Sequence, residues 1–263
     1  MLPVMCFAIT GLPIKKKGTQ VCACGKVCNM DNYSFQVLTY FLLIICGFLS
    51  VAASAKVNST FRKFNKVPSS SGLSGAEAAQ RLLNSAGIYD VQIQEVRGNL
   101  TDHYDPSEKV LRLSESTYHA RSVAAVGVAA HECGHALQHN EEYTPLKIRS
   151  MLVPVANFGS RAAIPIILLG LFLGYNQTLV QLGILIFSFA VLFQLVTLPV
   201  EFNASARAVR MLDGQGILQG QEVSMCKKVL SAAAMTYVAA AAASVLQLLR
   251  LIAIFGGGRR NDD

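Results

Sequence analysis

Charge is scarce in this 263-residue chain: Asp, Glu, Lys and Arg together make up 15% of it, against about a quarter in an ordinary soluble domain. With 52% apolar residues, the composition excludes a disordered chain, which is apolar-poor and charge-rich. A mean hydropathy of +0.40 points to a membrane instead. Acidic residues are the scarcer sign, 16 against 23 basic, for a net charge of +7. Yet the chain lacks a stripe of Lys and Arg interleaved with aromatics, which argues against nucleic acid as a partner. Many of the basic residues sit at the ends of apolar runs, which suits anionic lipid headgroups. There is no paired-cysteine framework either. Seven cysteines are an odd number in a chain too long to need staples, which excludes a disulfide scaffold. No internal repeat is visible.

Long apolar runs are what the chain has. Residues 37–55 carry no charge and are long enough to span the hydrocarbon core as a helix. Ala53-Ser54-Ala55 also has the form of a signal-peptide cleavage site, but the flanks favour a retained anchor. Asp31 precedes the run, whereas Lys56, Arg62, Lys63 and Lys66 follow it, the reverse of signal-peptide polarity. Residues 162–200 are again uncharged, bracketed by Arg161 and Glu201 and interrupted by Tyr175-Asn176-Gln177-Thr178. That break makes the block a helical hairpin. Its first arm needs extension back through Val153, which places Arg161 inside or near the bilayer. There it either faces protein or water or snorkels from a tilted helix end. Residues 229–249 give a fourth, Ala-rich span whose small side chains allow close helix approach.

Between the first span and the hairpin lies a stretch of ordinary polarity. Pro68-Ser69-Ser70-Ser71-Gly72 reads as a linker. Ser74 and Glu77 form a capping box that opens a helix ending near Gly87. Val91, Ile93 and Val96 suggest a strand, Asp105-Pro106-Ser107-Glu108 a turn, and residues 110–113 a second strand. Residues 122–139 read as a helix with an apolar first half. This order predicts a small α+β unit attached to a membrane bundle.

The second half of that last helix reads His131-Glu132-Cys133-Gly134-His135. Two His at i and i+4 lie one turn apart on one face, so both imidazoles can reach a single zinc ion. Glu132 flanks the ion, where it can take a proton from the water that the ion activates. A third protein ligand is needed if one position is to stay open. A metzincin would place a His six residues beyond His135, but Glu141 stands there. His139 lies too far along the helix and reads as a surface His. Glu201 follows the last residue of the second hairpin arm. Because the hairpin crosses twice, Glu201 emerges on the same side as the His131 helix, and it is the expected third ligand. Cys133 points off the His face and reads as packing.

These residues resemble the membrane zinc metallopeptidase family often called YugP and, more distantly, the HtpX and CAAX prenyl protease group. The resemblance runs from about Met30 to Arg260. It is carried by Lys56-Val57-Asn58-Ser59-Thr60, Leu100-Thr101-Asp102-His103-Tyr104-Asp105-Pro106, Val128-Ala129-Ala130-His131-Glu132-Cys133-Gly134-His135-Ala136, Leu152-Val153-Pro154-Val155-Ala156-Asn157 and Leu198-Pro199-Val200-Glu201-Phe202-Asn203-Ala204-Ser205. In the HtpX-like group an E-x-x-A-D helix supplies the third zinc ligand. Carried over, its Glu matches Glu201 and its Ala matches Ala204. The Asp that supports a zinc-bound His is replaced by Ser205, which leaves Asn203 or another carboxylate to take over that support. The resemblance implies proteolysis. His103, Tyr104, Tyr118 and Arg207 are candidates for the oxyanion donor, and residues 101–104 for an edge strand that pairs with extended substrate.

The expected fold is therefore a mainly α integral membrane protein of about four transmembrane helices, with a small α+β zincin-like domain carrying HExxH. Residues 1–29 are an extension, disordered or from a mis-set start, whose Cys6, Cys22, Cys24 and Cys28 do not form a paired C-x2-C framework. Residues 30–56 hold the first transmembrane helix, 57–150 the cytosolic zincin-like domain, and 151–200 the hairpin. Residues 201–228 hold the third-ligand helix and loop, 229–255 the fourth transmembrane helix, and 256–263 a tail. The expected function is a membrane-bound zinc endopeptidase with Glu132 as general base and one Zn2+ per chain on His131, His135 and Glu201. Its partners would be the lipid bilayer and a protein or peptide substrate, with no nucleic acid. The alternative is an inactive zinc-stabilised membrane scaffold, favoured by the Ser205 departure. Basic residues cluster on the zinc-bearing side and the hairpin tip has none, which predicts a multi-pass protein of the cell membrane with its active site facing the cytoplasm. Arg259, Arg260 and Lys15 to Lys17 vote the other way.

Overall fold

The structure, a computed structural model, describes residues 30–255. The expected extension, the C-terminal tail, Arg259 and Arg260 lie outside the described residues. Among the described residues, four helices are long and apolar enough to cross a membrane: α1 (Met30–Phe64), α5 (Thr144–Phe172), α6 (Gln177–Gly214) and α7 (Gln221–Phe255). Helix α5 packs along α6, α6 along α7 and α7 along α1. Helix α1 outruns its uncharged segment because residues 56–64 contain neither Gly nor Pro to stop it. Its polar end then buries Phe61 and Phe64 against Ala124 and Val229.

The hairpin turns where the polar break falls. Gly174 (φ +73°) and Tyr175 (φ +67°) take left-handed backbone, a conformation that suits Gly best. Asn176 then caps α6 by accepting from the Leu179 N–H at 3.2 Å. The arms lie close: a Cβ at Gly159 would stand 2.9 Å from the Ile186 carbonyl. One difference from the sequence reading matters for the site. No separate helix begins at Glu201. Helix α6 runs unbroken from the membrane segment through Glu201 to Gly214, because leaving the bilayer changes the polarity of the residues but not their helical compatibility. Pro199 lies inside it and removes one intrahelical hydrogen bond just before Glu201. Gly216, at φ +63°, follows the helix end.

The polar layer contains α2 (Gly75–Ser85), β1 (Gln92–Val96), β2 (His103–Asp105), β3 (Val110–Ser114), the short α3 (Glu115–Tyr118) and α4 (Val123–Asn140). Both arms of the capping box are present: Ser74 Oγ accepts from the Glu77 N–H at 3.2 Å, and Glu77 Oε2 from the Ser74 N–H at 2.7 Å. The sheet has three strands in the order β1-β3-β2. Strands β1 and β3 run parallel, and β2 pairs antiparallel with β3, Tyr104 opposite Leu111. Asp105 Oδ1 accepts from the Ser107 and Glu108 N–H groups at 2.8 and 3.2 Å, which turns the chain between β2 and β3 and leaves β2 at the edge. Leu82, Leu83, Leu111, Leu113, Val123 and Val126 form the core, joined by Leu212, Ile217 and Leu218 from the end of α6 and the loop after it. The membrane hairpin thus contributes its far end to the core of the polar layer.

Candidate metal centre

Ser122 starts α4 by accepting from the Ala125 N–H at 3.1 Å. The apolar first half, from Val123 to Ala130, fixes the helix in the core, with only Val128 left partly exposed. His131 and His135 then fall on one side, their ring centroids 4.8 Å apart and nearly perpendicular. Helix α6 crosses close by because position 134 has no side chain: a Cβ there would meet the Ala204 carbonyl oxygen at 2.6 Å. That close approach brings Glu201 to the two rings. Its Oε2 lies 3.3 Å from His131 Nε2 and 3.7 Å from His135 Nε2.

Three ligand atoms, one from each residue, lie within 4.8 Å of one another. Tetrahedral ligands on zinc bonds of 2.0–2.1 Å stand roughly 3.3 Å apart, so small side-chain rotations close the set. The Glu201 side chain is 3% exposed, and its Oε2 is buried without a hydrogen bond. A buried carboxylate oxygen left in this state is costly, and a cation between it and the two rings removes the cost. Two imidazoles and one carboxylate are a donor set that suits zinc.

Both rings are held from behind. His135 Nδ1 meets Gln138 Oε1 at 3.1 Å, and the Gln138 amide, fully buried, donates to the Val200 carbonyl and to Asn203 Oδ1, both at 2.9 Å. His131 Nδ1 meets Ser205 Oγ at 3.2 Å. With both Nδ1 atoms engaged on these partners, the Nε2 atoms are the ones that face Glu201. Ser205 thus fills the supporting position expected of an Asp, while Asn203 serves Gln138 and Arg207.

Glu132 is buried beside the ligands. Burial pushes its carboxyl up to about 7, with the Glu201 and Asp102 charges adding to the rise and His131 opposing it. The backbone of Tyr104, on edge strand β2, also opposes the rise. Cys133 is buried on the opposite side with Sγ 3.6 Å from the Ala79 carbonyl, and burial raises its thiol. His139 is exposed and pairs with the Tyr104 hydroxyl at 2.9 Å.

The other oxyanion candidates are engaged elsewhere. His103 Nδ1 lies 2.9 Å from the Thr101 carbonyl, and Tyr118 packs edge-on against His119. Arg207 joins Asn203 at 2.6 Å and Glu141 at 2.7 Å. Sequence reasoning missed Gln138 and two residues of the long apolar helices. Arg149 Nη2 in α5 is 3.7 Å from Glu201 Oε1, and Tyr237 in α7 is a hydrogen-bond partner of Glu201. The available signal was a polar side chain inside or beside a span, where such groups face protein.

Comparison with known proteins points to a zinc metallopeptidase family. The sequence family described as "Putative neutral zinc metallopeptidase" matches residues 39–256, and the chain belongs to it. Among individual proteins, it is 52% identical over 223 residues to the "Putative membrane protease YugP" of Bacillus subtilis (strain 168), an alignment covering 85% of this chain and 99% of that protein. No solved structure matches the chain.

Proposed function

We propose that this chain is a membrane-bound zinc endopeptidase that hydrolyses peptide bonds of membrane or membrane-proximal proteins. The observation that carries the reading is the convergence of His131, His135 and Glu201 on one point, with the buried Glu201 Oε2 unpaired. His131, His135 and Glu201 hold one zinc ion, and Glu132 is the general base. Residues 57–150 form the zincin-like domain on the cytoplasmic face, between the first span (30–56) and the hairpin (151–200). The third ligand comes from the 201–228 segment, and 229–255 returns through the bilayer.

Bound zinc supplies Lewis acidity toward a carbonyl oxygen and a lowered pKa for a water molecule. The chain's own residues do the rest. Glu132, buried beside His131 and His135, is placed to accept the proton of the attacking water and to return it to the leaving amine. Gln138 and Ser205 keep the ligand rings oriented. Strand β2 has an unpaired edge beside Glu132, and an extended substrate pairs along it. Arg149 and Tyr237 orient Glu201 from the membrane side. Ser205, where the related pattern has Asp, supports His131 through its hydroxyl, so the departure does not cost the site its support for that ring.

The test is metal analysis of detergent-purified protein, with turnover of an unfolded model protein by the wild type and by Glu132→Gln. One zinc in both, with turnover in the wild type alone, is expected. One zinc in both with turnover in neither would refute the endopeptidase reading.

A further inference from the structure

We propose that the outward ridge of α5 binds a transmembrane segment bearing a carboxylate near its middle, and so holds membrane-spanning substrates beside the metal centre. This rests on the endopeptidase reading and names its substrate class.

The starting point is Arg161. It lies midway between Arg149 and Leu173, roughly 18 Å of helix from each, in a segment that crosses a hydrocarbon layer of about 30 Å. That depth is beyond the reach of a snorkelling side chain. Nor does it face the bundle. Gly159, Ala163 and Ile167 form the side of α5 that packs on α6. Arg161, two residues from Ala163, is roughly 200° around the helix and is exposed. Neither its guanidinium nor the amide of exposed Asn157 one turn away has a partner among the described residues. An unpaired charge at this depth is expensive in lipid and marks an interaction.

Arg149, Val153, Asn157 and Arg161 form one row at four-residue spacing, the kind of ridge along which helices pack. Its upper end is Arg149, 3.7 Å from Glu201. Its lower end is mid-membrane. A segment lying along the ridge therefore leaves the bilayer at the metal centre.

Charge complementarity identifies the occupant. Lipid phosphates sit at the surface, a half-bilayer away. A second copy of the chain offers nothing at this depth: among the described residues, the carboxylates of the four long helices are Glu201 at the metal centre, Asp31 at the start of α1, ahead of its uncharged run, and Asp213 and Glu222 toward the polar ends. Two copies would also set Arg161 against Arg161. A foreign helix with Asp or Glu near its centre satisfies the guanidinium, and Asn157 adds a donor and an acceptor beside it.

The experiment uses the full chain in phosphatidylcholine vesicles with two single-pass substrates that differ only in Asp or Leu at the middle of the span. The wild type is expected to cleave the Asp substrate about tenfold faster at low substrate, through KM and not kcat. Arg161→Leu should erase that preference, and Arg161→Glu should transfer it to a substrate with Lys at the same position. A photo-crosslinker at Asn157 should capture the substrate span. Equal cleavage of both substrates by the wild type, preference retained in Arg161→Leu, or capture of a second copy instead would overturn the proposal. Zinc content verifies that each variant is folded, and the charge-reversal pair tests the idea independently of Arg161→Leu. If the wild type fails even on a soluble unfolded protein, the endopeptidase reading fails, whereas soluble turnover without Asp preference sinks this proposal alone.

Discussion

Ser205 Oγ stands 3.2 Å from His131 Nδ1, so α4 and α6 are joined behind the ring as well as at the ligand atoms. The hydroxyl is small and neutral where an Asp was expected. Ser205→Ala should lower zinc affinity about 10- to 100-fold, read by competition with a chromophoric chelator. Ser205→Asp should restore affinity or exceed it, because a carboxylate accepts a stronger hydrogen bond from the imidazole.

Gln138 carries more. One fully buried amide serves His135, the Val200 carbonyl and Asn203. Gln138→Leu takes the partner from His135 Nδ1 and the second donor from the Val200 carbonyl, while Asn203 Oδ1 keeps Arg207. A stability loss of about 1–3 kcal/mol is expected in denaturant unfolding of the detergent-solubilised protein, together with weaker zinc binding than in Ser205→Ala.

Gly134 tests the closeness of the helices. Since a Cβ would sit 2.6 Å from the Ala204 carbonyl, Gly134→Ala must push α4 from α6. A cost of about 1–3 kcal/mol follows from overpacking. Glu201 moves with α6, so zinc content should fall as well. A Gly134→Ala protein with full zinc and unchanged stability would contradict the close approach.

Zinc removal should be readable without any substrate. Ligand linkage predicts about 2.7 kcal/mol of added stability at free zinc 100 times Kd. The melting temperature should therefore drop in chelator and recover with added zinc. Glu201→Ala should show little of this response.

The capping box gives the clearest pH dependence. Glu77 is held below the ordinary Glu value, chiefly by its hydrogen bond from the Ser74 backbone N–H and also by Arg121. Its native-state pKa is depressed, so its contribution is fully present above the unfolded-state value and is lost as pH falls through the folded one. Comparing Glu77→Gln with wild type in thermal melts should show a clear gap at neutral pH that closes in acid.

Much of this was legible in the sequence because its signals are local. The capping box, the Asn176 break, the His pair and the uncharged runs each depend on neighbours within a few residues. Glu201 was reachable because a hairpin returns to its starting side. Arg149, Tyr237 and Gln138 were not, because their roles depend on how closely and at what angle α4, α5, α6 and α7 pack, which periodicity does not encode. Strand β2 was visible only as an edge-strand suggestion, since three residues are too few to show alternation. The continuity of α6 past Glu201 was missed for another reason: a drop in hydropathy marks a change of solvent, not the end of a helix.

That continuity ties chemistry to lipid. Helix α6 is one rod from the hairpin tip to the core of the polar layer, and Glu201 is a fixed mark along it. A thinner or thicker bilayer is met by tilt of such a rod, and the segment that meets it is the same helix that carries Glu201.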